Sequence, residues 1–420
     1  MEEEYDFELL EDNVKLYKVY KMFAYDWVFF YAISVLFFSI TKGFSTAQIV
    51  YLSGFYTLAY CIFQVPANFL VKKIGLRKSM ILGNILSAIT ILVYIVSKEF
   101  DNFIIIQFVN GFSFALKGLS EGDLLCTTMK RLGKFEKFTK VEGAANAKYY
   151  FFEAFASVVS GFLFIFNQFL PVILCLIVTI IALKQSFKFN EVKLDIENEK
   201  TSISRVISHF FRTLSSDRLK SIYMVAFVFT GIIMVNITLY KSVLIDIGFE
   251  PHIIAILVGV YMLSAGIGSK NEFYVEKKTK NKTLSVITII YIICIGIFGI
   301  LGVVNIVNMF TLSIMILCLF LMGVVHGVYK VALKKYTVSF TTSRIRTRIS
   351  SIGLMFEYAG TTIISFAVAY LLERVGNSIG CIIVCVCAIV IMSAIIRYMN
   401  GRLGLKPEEY APKDINNVEL

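Results

Sequence analysis

The sequence predicts an all-α membrane protein with twelve transmembrane helices in two parallel, pseudo-symmetric six-helix bundles, and three observations carry that prediction. Of the 420 residues, 57% are hydrophobic and only 17% charged, with a mean hydropathy of +0.74, the balance of a chain dissolved in lipid. Apolar windows about 20 residues long, the length a bilayer demands of a helix, alternate with short basic loops. The chain also repeats itself at an offset of 205 positions. Lipid leaves only helices and closed barrels able to satisfy their own backbone, and the short alternating segments of a barrel are absent.

The windows fall near 23–41, 47–71, 79–97, 102–126, 145–166 and 168–186, then near 221–245, 252–270, 283–303, 307–331, 349–372 and 377–397. Basic residues orient them. Lys72, Lys73, Arg77 and Lys78 follow the second window, and Lys130, Arg131, Lys134, Lys137 and Lys140 the fourth. Lys270, Lys277, Lys278, Lys280 and Lys282 follow the eighth, and Lys334, Lys335, Arg344, Arg346 and Arg348 the tenth. The opposite loops hold only Lys42, Lys98 and Arg374. The even-numbered exits and both termini are therefore expected in the cytoplasm of a plasma-membrane protein. The charge of +11 is topological on this reading and implies no nucleic-acid partner.

The repeat divides the chain. Gly54, Tyr56, Leu58, Lys72, Lys73 and Arg77 recur as Gly259, Tyr261, Leu263, Lys277, Lys278 and Lys282; Leu116, Gly118, Gly122, Lys130 and Phe135 recur as Leu321, Gly323, Gly327, Lys335 and Phe340. Phe152 and Glu153 recur as Phe356 and Glu357. Matched Gly, Lys and Glu at a near-constant offset indicate duplication, and an even helix count per half makes the repeat parallel. The expected organisation is a cytoplasmic tail at 1–22, a six-helix bundle at 23–186, a cytoplasmic linker at 187–220, a second bundle at 221–398 and a tail at 399–420. In the linker, Ile203, Val206, Ile207, Phe210, Phe211 and Leu214 sit at helical spacing, the pattern of an amphipathic surface helix. The opening residues are acidic where a cleavable signal would be basic. The eight cysteines lack zinc or disulfide spacing and read as small core residues.

The run from Asn68 to Arg77 resembles the signature of the major facilitator superfamily, roughly G-x-x-x-D-R-x-G-R-K. Gly75 and the basic positions match, Asn68 replaces the first glycine, and Lys72 stands where that family carries aspartate. Gly43, Gln48 and Pro66 are similar to positions in its bacterial drug-exporter group, with Gln64 in place of an acid; Ser120 to Met129, followed by Arg131, Gly133, Phe138 and Val141, is similar to the same group. The resemblance implies a cytoplasmic gate built from Gln64, Pro66, Lys72, Lys73, Gly75 and Arg77. The fifth window has only Gly161 and no proline, so the antiporter motif of that family is missing.

Ionisable residues inside the windows are candidates for function because burying one in lipid costs about 2.5–3.5 kcal/mol. Glu153 and Glu357 occupy equivalent repeat positions, for proton or substrate handling or for a polar helix–helix contact. Lys117 and Glu121 lie four apart on one helix face, where an ion pair could form and lower the cost of burying both. His326 is the repeat counterpart of Glu121, with Lys330 one turn on; a histidine there could carry a proton, while Glu121, Asp123 and Lys330 are near enough to the interface to snorkel. Asp26 is expected in the first turn of the first helix, capping it or coupling a proton.

These features point to a monomeric secondary transporter that moves a small organic solute by alternating access, with proton-coupled efflux as the first reading. An uncoupled facilitator or a non-transporting receptor or scaffold is the alternative. No phosphate-cradling loop, metal constellation or cofactor motif is present in the sequence, so an enzyme is disfavoured.

Overall fold

A computed structural model describes residues 7–192, 217–279, 282–306, 308–339 and 346–400. The regular structure of these residues is all helical, with no strand among them. In order the helices are α1 (Phe7–Ala24), α2 (Ser34–Leu36, continued by a π-helical turn over Phe37–Thr41), α3 (Thr46–Ile74), α4 (Leu76–Val96), α5 (Phe100–Arg131), α6 (Phe138–Phe166) and α7 (Leu170–Ser186). There follow α8 (Asp217–Ile247), α9 (Pro251–Lys270), α10 (Glu272–Thr279), α11 (Thr283–Val304), α12 (Met309–Ser339), α13 (Arg346–Val375) and α14 (Asn377–Asn400). Ten of these are long and apolar enough to cross a membrane, and α7 is apolar but shorter. The expected amphipathic helix at 203–214, together with Lys280, Phe340 and Arg344, lies outside the described residues.

Helix polarity is inverted relative to a soluble protein. On α4 the outward residues are Ile85, Ile89, Leu92 and Val96, while Ser79, Gly83, Asn84, Ser87 and Thr90 are buried. An apolar exterior around a polar interior is what lipid selects, because interhelical contacts gain nothing from hydrophobicity there and rely on small and hydrogen-bonding residues. Ser113 Oγ accordingly donates to the Gly83 carbonyl at 2.7 Å and meets Ser87 Oγ at 2.8 Å.

The chain divides into two compact units. Unit 1 contains Met1–Phe44, Phe55–Ile196 and Glu250–Gly266; unit 2 contains Ser45–Gly54, Glu197–Phe249 and Ile267–Leu420. Within unit 1, α1 packs on α6, and α4 on both α5 and α7. Within unit 2 the repeat-related helices pair the same way, α8 with α13 and α11 with both α12 and α14. The duplicated sequence thus produces duplicated packing. The units are not simply the two sequence halves, since the start of α3 groups with unit 2 and most of α9 with unit 1. Glycines make the close approach of α9 possible: Gly161 on α6 faces Ala255 and His252, and Gly259 faces Ala154 and Ser157.

The first expected span, 23–41, requires correction. It is not one helix: α1 stops at Ala24, residues 25–33 run through turns, and helix resumes at Ser34. Residues 7–22, expected as a tail, are helical and packed. Their buried positions Leu10, Asn13, Tyr17, Tyr20, Lys21 and Ala24 follow the helical period. Lys134 and Glu11 form an exposed ion pair at 2.5 Å between the loop after α5 and α1, and its hydrogen bond and charge hold the Glu11 carboxyl below its usual range.

The segment after α7 is strapped to the same end of unit 1. Asn13 and the Asn190 backbone exchange two hydrogen bonds of 3.0 and 2.9 Å, Phe189 lies edge-on to Tyr20, and Glu191 accepts from the Leu76 amide at 2.8 Å. A carboxylate at the start of α4 satisfies helix-terminal N–H groups and suits the helix dipole. Gly75 precedes that terminus at φ +93, and a Cβ there would stand 2.9 Å from Glu191 Oε1. Gly75→Ala is expected to cost about 1–3 kcal/mol through the left-handed backbone, lowering the thermal unfolding midpoint of the purified protein; an unchanged midpoint would remove this account of the glycine.

Candidate functional site

In unit 1 the site begins at the interruption between α1 and α2. Aspartate competes with the helical backbone through its own side chain, and here Asp26 Oδ1 accepts from the Trp27 amide at 2.7 Å. Phe29 then adopts φ 70, rare for a bulky residue, and is held there by burial and by an edge-on contact with Phe152. Asp26 therefore follows the C-terminus of a helix rather than opening one, so the expected cap at the first turn of that helix is not made, and the helix dipole there disfavours a carboxylate.

Around this break stand aromatic side chains from three further helices. Tyr25 packs against Tyr149 with ring centroids 4.4 Å apart, Trp27 lies 6.3 Å from Phe114, and Tyr56 is edge-on to Phe114 at 5.9 Å. Asp26 interacts electrostatically with Tyr56, Tyr149 and Lys117. Lys117 on α5 is 4% exposed, with Nζ 3.7 Å from the centre of the Phe114 ring. Its stem passes Gly83 of α4, where a Cβ would fall 2.6 Å from Lys117 Cγ.

The Lys117–Glu121 ion pair that their spacing allows is not formed. Glu121 instead accepts from Lys21 Nζ at 2.6 Å, and the same ammonium lies 3.5 Å from Glu142 on α6. Tyr17 donates to Glu142 at 2.6 Å. Lysine preceding glutamate by four residues is the weaker order on a helix, and α1 supplies a cation that serves two carboxylates at once. Glu121 is consequently buried at 8% exposure and does not snorkel. Lys21, Glu142, Tyr17 and Glu191 were not singled out in the sequence; the helical period of residues 10–24 was the available signal for the first and third.

Glu153 is fully buried on α6, with Ser157 donating to it at 3.4 Å. Its repeat counterpart Glu357, in unit 2, meets Lys330 of α12 at 3.6 Å. Lys330 thus turns to a carboxylate on α13. Beside this pair Thr230 and Tyr329 share a 2.8 Å hydrogen bond, and His326 is buried one turn before Lys330.

Of the gate candidates, Gln64 is 2% exposed with neither amide atom hydrogen-bonded among the described residues, and Pro66 interrupts the hydrogen-bond ladder inside α3. Lys72 and Lys73 close that helix on its exposed side. Lys72 acts electrostatically on Asp123 of α5, so an acid does lie near the position, carried by another helix. Gly75 and the Arg77 amide belong to the Glu191 cap. No cluster of metal-ligating side chains occurs among the described residues.

A sequence model of the Major Facilitator Superfamily matches residues 22–313. No curated protein sequence matches the chain. Among solved structures, the chain is similar to the nucleoside transporter NupG, at 12% identity and a TM-score of 0.72 over 93% of this chain and 99% of that one. It is also similar to a POT family transporter in complex with a thioalcohol-conjugated peptide, at 14% identity and a TM-score of 0.67 over 94% and 96%. A POT family transporter in complex with 5-aminolevulinic acid gives the same values.

Proposed function

The chain belongs to the major facilitator superfamily, and from that premise we propose that it is a secondary active transporter exporting a small organic solute across the plasma membrane by alternating access, driven by protons. The observation that carries the reading is the presence of Lys117 and Glu153 in unit 1 and of His326 in unit 2, buried within helices whose exteriors are apolar, with Glu357 of unit 2 only 12% exposed at its side chain. Lipid charges a free-energy cost for each such group, so their presence calls for a use. Counting the interrupted first segment and α7, the chain makes twelve crossings with both termini in the cytoplasm, as the distribution of basic residues supports. Outward transport is supported by the exporter-like positions Gly43, Gln48 and Pro66.

Glu153 and Glu357 are the proton-carrying candidates. The test is transport in proteoliposomes under an imposed pH gradient, screening uridine, dialanine and 5-aminolevulinate, solutes of the kinds named for the structural neighbours. Glu153→Gln and Glu357→Gln are each expected to reduce gradient-driven transport about tenfold or more while solute exchange without a gradient persists. Unchanged, still pH-dependent transport would remove both residues from coupling. The second reading, an uncoupled facilitator or a receptor that keeps the fold, is favoured by Lys72 in place of the family aspartate. Distance measurements between spin labels that reveal a single state with and without a gradient would select the receptor.

A further inference from the structure

We propose that Lys117 is the anion-binding residue of unit 1, and that the solute it receives carries a carboxylate or similarly compact anionic group attached to a flat ring. This deepens the transporter reading and rests on it.

Four acids of unit 1 stand on or beside the helices of this cluster, and none forms an ion pair with Lys117 among the described residues. Glu121, one turn away on the same helix, is held by Lys21 at 2.6 Å, and Glu142 also faces that ammonium. Asp26 caps the Trp27 amide and acts on Lys117 only at longer range, and Glu153 has Ser157 as its neighbour. Lys117 makes no ion pair among the described residues, although it is 4% exposed. Among the described residues its close contact is the face of Phe114, with Glu121 and Asp26 acting on it electrostatically without forming an ion pair, and a ring face offsets only part of the cost of desolvating an ammonium. The slot for it is built, since Gly83 leaves the space that its stem fills.

A second donor stands in the same cluster. The Trp27 side chain is 7% exposed and its indole Nε1–H has no acceptor among the described residues. An ammonium and an indole N–H offer donors and no acceptor, which suits an anion. Phe114, the ring beneath the ammonium, also meets the rings of Trp27 and Tyr56, and such surfaces favour a flat apolar body.

Trp27 is the single tryptophan of the chain, so its fluorescence reports on the site in the full-length protein in nanodiscs. Titration with benzoate, phenylphosphonate, benzamide and benzylammonium separates the classes. Benzoate or phenylphosphonate is expected to give a saturable change at least about tenfold tighter than neutral benzamide, Lys117→Gln to abolish that preference, and Lys117→Arg to restore most of it. Equal binding of benzoate and benzamide, tightest binding of benzylammonium, no saturable change with either anion, or an unaltered preference in Lys117→Gln would each overturn the assignment. Should Lys117→Gln fail to fold, the comparison of the four compounds on the native protein decides alone. Binding without transport in proteoliposomes would sink the transporter reading alone, and transport of uncharged solutes without anion binding would sink this one alone.

Discussion

Lys21→Met is expected to destabilise the folded protein by about 3–5 kcal/mol, because it would leave Glu121 and Glu142 buried without their shared cation. Both carboxylates are less than a tenth exposed, and Lys21 is the ammonium between them. The loss should appear as a large fall in the unfolding midpoint of the purified protein. The partner experiment separates the value of the cluster from the penalty for breaking it. Combining Lys21→Met with Glu121→Gln and Glu142→Gln removes every charge at nearly constant volume, and should recover most of the stability, since replacing a whole buried ionic group is often close to neutral. If Lys21→Met shifts stability by less than about 1 kcal/mol, the cluster is solvated and the argument from burial fails.

Gly360→Val is expected to cost about 3 kcal/mol or more, the upper range of overpacking, and to reduce the yield of monodisperse protein. Gly360 of α13 lies against the backbone of α8 at Phe227, whose carbonyl oxygen and carbon a Cβ would strike. Backbone cannot swing aside as a side chain can. Gly231, also on α8, faces the end of the Ile364 side chain, 2.6 Å from where its Cβ would be, so Gly231→Ala should be milder. Gly122→Ala serves as the control, because nothing lies within 4 Å of its Cβ position. Equal effects at Gly122 and Gly360 would show that helix propensity, and not the α8–α13 contact, sets the cost.

The two predictions bear on the same architecture. Close glycine contacts let helices approach until backbone meets backbone, and the polar groups they bring together must then be satisfied inside the bundle. In unit 1 the cluster around Lys21 ties α1 to α5 and α6, while the Glu191 cap ties the segment after α7 to α4. These ties leave Lys117 as the charge with a ring for company, and give the proposed anion site its fixed walls.

What the sequence determined by itself was the fold class and the position of most helices. Lipid tests each segment separately: a run of about 20 apolar residues must become a helix whatever its neighbours do. The windows from 47–71 onward therefore coincide with helices, lengthened where α5, α6 and α12 continue past their apolar stretches. The repeat likewise foretold matched pairing in the two units, because equal sequences bury equal faces. Tertiary structure decided the partners. Lys117 and Glu121 have the spacing of an ion pair, yet Glu121 pairs with a lysine 100 residues away, and the amide cap of α4 comes from an acid 115 residues from Leu76. It also decided the interruption at Asp26, where hydropathy continues but packing of Phe29 holds a backbone that helix propensity would refuse. Hydropathy is a contract between a segment and its solvent, whereas the choice of a charge's partner depends on which groups the fold brings within a few ångströms, and local spacing loses that competition when another helix offers a better-placed cation.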